Sequence, residues 1–253
     1  MTPAAPARPI DLATRDTVTF VAGQLAAGTS VLEVGSGPGD LAQALAQRGF
    51  RVRALDADEQ AIAEARARGL DAQVCAWPDY TGPAVDAVAF TRSLHHMPAL
   101  DAALDRARAC LRPYGKLLLD DFAHEAADAA TLHWFAALVR TPAAQAQTAG
   151  RSSSFIDGLR ETDDPLRFWQ ERHAQHGVHV FGLLTAAAGA RFEITRVERV
   201  PYLYRYLVQV LPETPAAAQW LADVRRDEAR RIDGGSVQPL GRRLAAELVK
   251  APR

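Results

Sequence analysis

Between Val31 and Leu41 the chain reads Val-Leu-Glu-Val-Gly-Ser-Gly-Pro-Gly-Asp-Leu, a cluster of glycines set between a short apolar run and an amphipathic one. A strand feeding a glycine turn feeding a helix lets backbone come close to a ligand. The helix start adds free N–H groups. Gly35, Ser36, Gly37 and Gly39 are therefore candidates for cradling a nucleoside-like ligand. Their spacing is G-x-G-x-G, and Asp40 stands where the dinucleotide fingerprint wants its third glycine. A carboxylate there would sit where a pyrophosphate approaches the helix. Glu33, just before the turn, would repel a diphosphate and suits a ligand carrying an ammonium and a sulfonium. Asp56 follows Gly35 by 21 residues and ends the next apolar run, with Ala57 beside it. That is where ribose-binding acids fall. Asp56 could equally cap the following helix, although Asp58 is better placed for that job.

A second set of polar residues lies where further strands should end. Thr91-Arg92-Ser93-Leu94-His95-His96 follows one apolar run, and Asp120, Asp121 and His124 follow another. The acids could line an acceptor pocket or serve as solvated, capping loop residues. Three of the seven histidines recur at steps of three, at His173, His176 and His179, close to Phe168 and Trp169. No Cys or Glu cluster completes a familiar ligand set around them, so no metal is expected. Tyr202, Tyr204 and Tyr206 alternate, which would put them on one face of a strand.

The elements that must position these groups follow from periodicity. Helices are expected over Thr14–Ala27, Asp40–Arg48, Asp58–Arg68 and Leu100–Leu111. Strands are expected over Val31–Val34, Arg51–Leu55, Ala72–Ala76, Val85–Phe90 and Lys116–Asp120. Alternation at this pace implies parallel pairing with right-handed crossovers, in a doubly wound α/β sheet. Ligands in such sheets sit beyond the carboxyl ends of the strands. After the fifth strand the rhythm changes. Ala126–Arg140 reads as a helix, Thr141–Thr162 as an exposed excursion, and Leu166–Ala188 as partly helical. Arg191–Val200 and Tyr202–Val210 carry strand character, and Ala216–Ile232 reads as a charged helix. Val237–Val249 is ambiguous between helix and strand.

Composition narrows the function classes. The chain has 253 residues, enough for one large domain, with 48% hydrophobic and 23% charged residues and a formal net charge of -1. That balance leaves no electrostatic footprint for nucleic acid or an anionic membrane, and no apolar run approaches a membrane span. The two cysteines make no disulfide framework and fit a cytoplasmic location. The Ala- and Pro-rich residues 1–12 read as a flexible tail.

With these residues in view, the chain resembles the class I, Rossmann-like, S-adenosylmethionine-dependent methyltransferases. The likeness runs from about Val31 to Phe122. It rests on Glu33 to Gly39, on Asp56, on Thr91 to His96, and on Leu111-Arg112-Pro113-Tyr114-Gly115. The Leu-His-His and Leu-Arg-Pro-x-Gly pair points to the small-molecule branch. The resemblance implies a seven-stranded, mainly parallel sheet with an antiparallel last strand, which assigns Val237–Val249 to that strand. It implies a single domain over 13–253, with a helical lid or insertion at about 123–182. It implies S-adenosylmethionine as cofactor, held by Glu33, Gly35, Ser36, Gly37, Gly39, Asp56, Ala57, Ala76, Trp77, Thr91 and Arg92. Ala76 stands where such enzymes usually place an acid for the adenine amino group, so Asp79 or backbone groups must read the base. Trp77 could stack on the base or pack in the core. The expected reaction is in-line methyl transfer to a small-molecule acceptor, giving S-adenosylhomocysteine. Its demands are alignment of the nucleophile and exclusion of water, with a base where the nucleophile is protonated. His96 and His173 are the candidate bases. The competing readings are a protein or RNA methyltransferase and a non-catalytic cofactor-binding protein.

Overall fold

The computed structural model describes residues 7–248. The chain folds as two compact units. One, here the sheet unit, comprises residues 14–122, 179–198 and 242–248. The other, the helical unit, comprises residues 7–13, 123–178 and 199–241.

The sheet unit begins with most of α1 (Pro9–Gln24). It continues as β1 (Ser30–Val34), α2 (Asp40–Ala46), β2 (Arg51–Asp56), α3 (Glu59–Ala67), β3 (Asp71–Val74), β4 (Val85–Thr91), α4 (Leu100–Cys110) and β5 (Leu111–Phe122). The sheet has seven strands in the order β3-β2-β1-β4-β5-β7-β6, with β6 at Glu193–Val200 and β7 at Gly241–Glu247. The first five pair in parallel. β7 runs antiparallel between β5 and β6, and its end exchanges bonds with the start of β5, Tyr114 N to Leu248 O and Leu248 N to Gly115 O. The expected fold class is the observed one. Val31, Ala87, Ala89 and Leu118 pack with Val18, Val21, Leu41 and Leu45 in one core. Ala42, Ala54, Ile62, Ala65 and Ala72 form a second. The central strands are apolar on both faces, as parallel strands covered by helices must be.

After β5 the helical unit takes up α5 (Ala129–Arg140), α6 (Pro142–Gln147), α7 (Ser154–Glu161) and α8 (Pro165–His176). α9 (Phe181–Gly189) belongs to the sheet unit, whereas α10 (Pro215–Asp233) belongs to the helical unit. The helical insertion therefore ends near Val178 and is joined by residues 199–241, which the sequence did not group with it.

Four expectations differ from the structure. The tail assigned to 1–12 is helical from Pro9, because Asp11 accepts the Arg8 backbone N–H (2.8 Å) and Pro9 suits a first helical turn. Residues 1–6 lie outside the described residues. Thr141–Thr162 is not an excursion but contains α6 and α7. Thr141 caps α6 through Ala144 N, and α7 buries Phe155, Ile156 and Leu159. The last strand is short, Gly241–Glu247, and Val249 lies outside the described residues.

The fourth difference is Tyr202–Val210. It is not a strand but a 3-10 helix over Leu203–Val210. Glu228 of α10 accepts the backbone N–H groups of Tyr202 (2.6 Å), Leu203 (2.9 Å) and Tyr204 (3.0 Å). Those N–H groups open a helix and would otherwise be orphaned. The carboxylate comes from 24 to 26 residues away, so no local pattern announces it. Tyr202 and Tyr206 consequently meet ring edge to face at 5.9 Å rather than lining a strand face.

Candidate active site at the strand ends

The glycine turn is clamped from three strands of the sheet unit. Gly35 N and Ser36 N both donate to Leu55 O of β2, at 2.8 and 2.9 Å. Ser93, just past β4, donates its hydroxyl to Val34 O at 2.6 Å. A Cβ on Gly35 would come within 2.4 Å of Ser93 Cβ, so only glycine lets the ends of β1 and β4 approach. Gly37 differs. Its φ is +53°, and a Cβ there would meet nothing within 4 Å. The chain at Gly37 thus opens onto free space, as a cradle for a ligand must.

Asp56 ends β2 and aims at this turn. Its Oδ2 accepts Gly37 N at 2.7 Å and its Oδ1 accepts Asp58 N at 3.0 Å. The capping job belongs to Asp58, which accepts from Gln60 N and Ala61 N. With the cap supplied by its neighbour, Asp56 is left as an oriented carboxylate whose oxygens each keep a further lone pair. Ala57 lies between the two acids. Asp40, at the start of α2, is held by Arg68 at 2.9 Å.

Glu33 sits inside β1 with 1% of its surface exposed. Its Oε1 lies 3.5 Å from the Thr91 hydroxyl, and its Oε2 is buried without a hydrogen-bond partner. Burial pushes its carboxyl up to about 8, against the opposing pull of the Arg92 guanidinium and the Thr91 hydroxyl. Arg92 itself takes a left-handed backbone conformation, φ +57°, which is costly for a side chain of this size and collects at functional sites. Its N–H donates to Asp120 O.

Ala76 and Trp77 follow β3. Trp77 donates its indole N–H to Ala103 O at 3.0 Å, stacks on Tyr80 and meets Phe90 edge-on at 5.7 Å. These contacts are those of a packing aromatic. Ala76 is exposed and contributes only backbone.

The histidines separate sharply. His95 is buried, and its Nδ1 lies 2.7 Å from Asp121 Oδ1. Asp121 is fully buried and also accepts Phe122 N at 2.9 Å. His96 is exposed, on the 3-10 turn Leu94–His96, with its ring 4.0 Å from that of His95. Asp120 and Asp121 are not solvated loop residues but the buried end of β5. They point to opposite faces, as successive strand residues do. Asp120 takes the Thr17 hydroxyl and Arg243, and Asp121 takes His95.

His173 belongs to α8 of the helical unit. It is buried, with Nδ1 2.8 Å from Trp169 O, and its ring stacks on His124 at 4.8 Å. Trp169 in turn donates its indole N–H to His124 O at 2.8 Å. Burial first, and then the nearby His124, Arg172 and His176, bring His173 down to about 4. It is neutral at physiological pH and a weak base.

Residues 8–181 match the methyltransferase domain family, well over half of the chain. The chain belongs to that family. The ubiquinone biosynthesis O-methyltransferase of Xylella fastidiosa (strain 9a5c) is 34% identical over 103 residues, covering 36% of this chain. The chain spans 41% of the length of that curated relative. Among solved structures, an S-adenosylmethionine-dependent methyltransferase from Mesorhizobium loti superposes with a TM-score of 0.57 at 17% identity, over 92% of this chain and 99% of its own. Phosphoethanolamine N-methyltransferase 2 of Haemonchus contortus, in complex with S-adenosyl-L-methionine, also gives a TM-score of 0.57 at 17% identity, over 93% of this chain and 53% of its own. At these identities the structural likenesses establish the fold.

Spacing alone missed Ser93 as the clamp on the glycine turn, Asp121 as the partner of His95, and Glu228. A serine or acid is an unremarkable letter in each place. Only the sheet register and the folded chain bring the partners together.

Proposed function

We propose that this methyltransferase-family protein transfers a methyl group from S-adenosylmethionine to a small-molecule acceptor and releases S-adenosylhomocysteine. The observation that carries the reading is the buried Glu33, whose Oε2 has no partner and whose ionisation is suppressed by burial. A buried carboxylate in that state costs stability until a cation meets it. The ammonium of the methionyl group supplies one, and the sulfonium of the same cofactor makes its methyl group electrophilic. Asp56 takes the ribose hydroxyls, Gly35, Ser36, Gly37 and Gly39 admit the nucleoside, and Arg92 and Thr91 set the charge beside Glu33. Ala57, Ala76 and Trp77 flank the nucleoside, the last from a ring already fixed by packing.

The small-molecule acceptor is supported by a net charge of -1, which offers no attraction to nucleic acid. No helix among the described residues is long and apolar enough to cross a membrane. Cys75 and Cys110 are free thiols, which supports work in a reducing cytoplasm.

Calorimetric titration of the protein with S-adenosylmethionine, S-adenosylhomocysteine and NAD tests the reading. The first two should bind and NAD should not. Binding of NAD alone would overturn it.

A further inference from the structure

The sheet ends in two different edges. β3, on one side, has only four residues, Asp71–Val74, which leaves little backbone open to another strand. β6, on the other side, runs for eight residues, Glu193–Val200. It holds no proline or glycine, and Ile194, Thr195, Val197 and Val200 are β-branched, the type that favours strands. Glu193, Thr195, Val197 and Arg199 alternate and so share a face. All four are exposed. Val197, in the middle, keeps 50% of its surface open to solvent. A long edge strand presents a row of unpaired N–H and C=O groups, a template for one further strand.

The charges along β6 select the partner. Arg196 and Glu198 lie on the other face and form an ion pair with each other. Glu198 also lies 4.0 Å from Arg243 of β7. Residues directly opposed across an antiparallel pair share a face and interact. When β6 is laid beside its own copy with Val197 facing Val197, Arg196 of each chain faces Glu198 of the other. Ile194 then faces Val200. The two ion pairs join in a ring of four alternating charges, and networks of this kind are worth more than isolated surface pairs. Centring the same pairing on Arg196 sets two guanidinium groups opposite each other, and centring it on Glu198 sets two carboxylates opposite each other. Like charges in directly opposed positions are destabilising. One register is therefore favoured, and the neighbouring registers are opposed.

We propose that β6 pairs antiparallel with β6 of a second copy of this chain, about a twofold axis at Val197, so that the two sheets become one. The contact uses the same patch on both copies, as a twofold dimer requires. β4, β5 and β7 stand between β6 and β1 in the sheet, so the contact can be tested apart from the glycine turn.

The test has two arms, both on the full chain, with circular dichroism and S-adenosylhomocysteine binding to show that each variant is folded. The first arm reads the register. In Val197→Cys the two new thiols should face each other with Cα atoms about 4.5–5.5 Å apart, within disulfide reach. Mild oxidation should give a covalent dimer. Thr195 would face Arg199, which leaves the two copies of Thr195 more than about 13 Å apart, so Thr195→Cys should cross-link no more than the unaltered chain. The second arm reads the charges by sedimentation velocity. The unaltered chain should be a dimer at about 100 µM, the range of a small edge-to-edge contact. Arg196→Glu and Glu198→Arg should each weaken dimerisation about tenfold or more, because each sets like charges across the axis. An equal mixture of the two variants should dimerise again, since the carboxylates of one then face the guanidinium groups of the other. A monomeric unaltered chain, a dimer indifferent to Arg196→Glu, or a mixture of folded variants that stays monomeric overturns the proposal. Cross-linking of Thr195→Cys as readily as Val197→Cys overturns the register. None of these results bears on cofactor binding, which stands or falls by the calorimetry above.

Discussion

Each unit of this protein buries a glutamate, and the two are opposites. Glu228 of the helical unit is fully buried, yet three backbone N–H groups converge on its carboxylate. Glu33 of the sheet unit is buried as deeply, yet one of its oxygens has no partner. Burial raises the pKa of both carboxyls, which disfavours their ionised forms. What differs is how the charge is answered. Glu228 is answered by the fold, so it shapes the chain. Glu33 is the acid that we propose the cofactor's ammonium answers. Depth alone does not mark a functional acid, and the tally of its hydrogen bonds does.

The largest expected effect tests the structural half of this contrast. Glu228→Ala strips the acceptor from three buried N–H groups, each worth about 1–3 kcal/mol when left unsatisfied. Urea unfolding should show a loss of roughly 3 kcal/mol or more. A loss below about 1 kcal/mol would remove the distinction between the two acids.

Next comes the glycine turn proposed to cradle the cofactor. Gly37 has a left-handed φ that Asp tolerates and open space where a side chain would go. Gly37→Asp should weaken S-adenosylmethionine binding about 100-fold, roughly 3 kcal/mol, with little change in melting temperature. Equal affinity by calorimetry would mean that the glycine turn is not the site.

Smaller again is the acid itself. Glu33→Gln removes the charge but keeps the shape. Cofactor affinity should fall about tenfold, while stability at pH 8 stays level or rises. A large loss of stability would make Glu33 a structural residue after all.

The mildest test is pH. Glu33 has a folded value raised from 4.5 to about 8. Its contribution to stability is full below about 4.5 and is lost as pH rises toward 8. A cation favours the ionised form, so cofactor affinity should climb with pH up to about 8, with proton uptake by the buffer on binding. His173, lowered from 6.5 to about 4, acts in the opposite sense. Its contribution is present above 6.5 and is lost as pH falls through 4. Thermal melts of Glu33→Gln and His173→Gln across pH 4 to 9 should each flatten one of these slopes and leave the other. A single variant that flattens both would deny that the two groups are independent.

How far the sequence could be read depended on the range of each interaction. The glycine turn, Glu33 and Asp56 were legible because a strand, a turn and a helix lie in contiguous residues. The parallel sheet was legible from the alternation of short apolar runs and helical spacing. α6 was hidden because Ala143, Ala144 and Gln145 offer no strong period, and its start depends on the Thr141 cap. The stretch Leu203–Val210 was misread because the alternating tyrosines mimic a strand, while the carboxylate that makes it helical comes from α10. Two adjacent histidines look equivalent until the β4–β5 register sets Asp121 beneath one of them.

That register has a consequence for how the protein can change over evolution. Asp120 and Asp121 are chemically interchangeable, and only the parity of β5 decides which one anchors Thr17 and Arg243 and which one holds His95. A one-residue slip turns every side chain of a strand to the other face. A single insertion or deletion between Lys116 and Asp120 would therefore exchange the two acids without altering either of them. The turn around Arg112 to Gly115 is where length variants can be absorbed, because residues 112–114 are exposed and precede the buried part of the strand. Surviving relatives should accordingly vary in length ahead of Lys116 and keep a fixed count from there to Phe122.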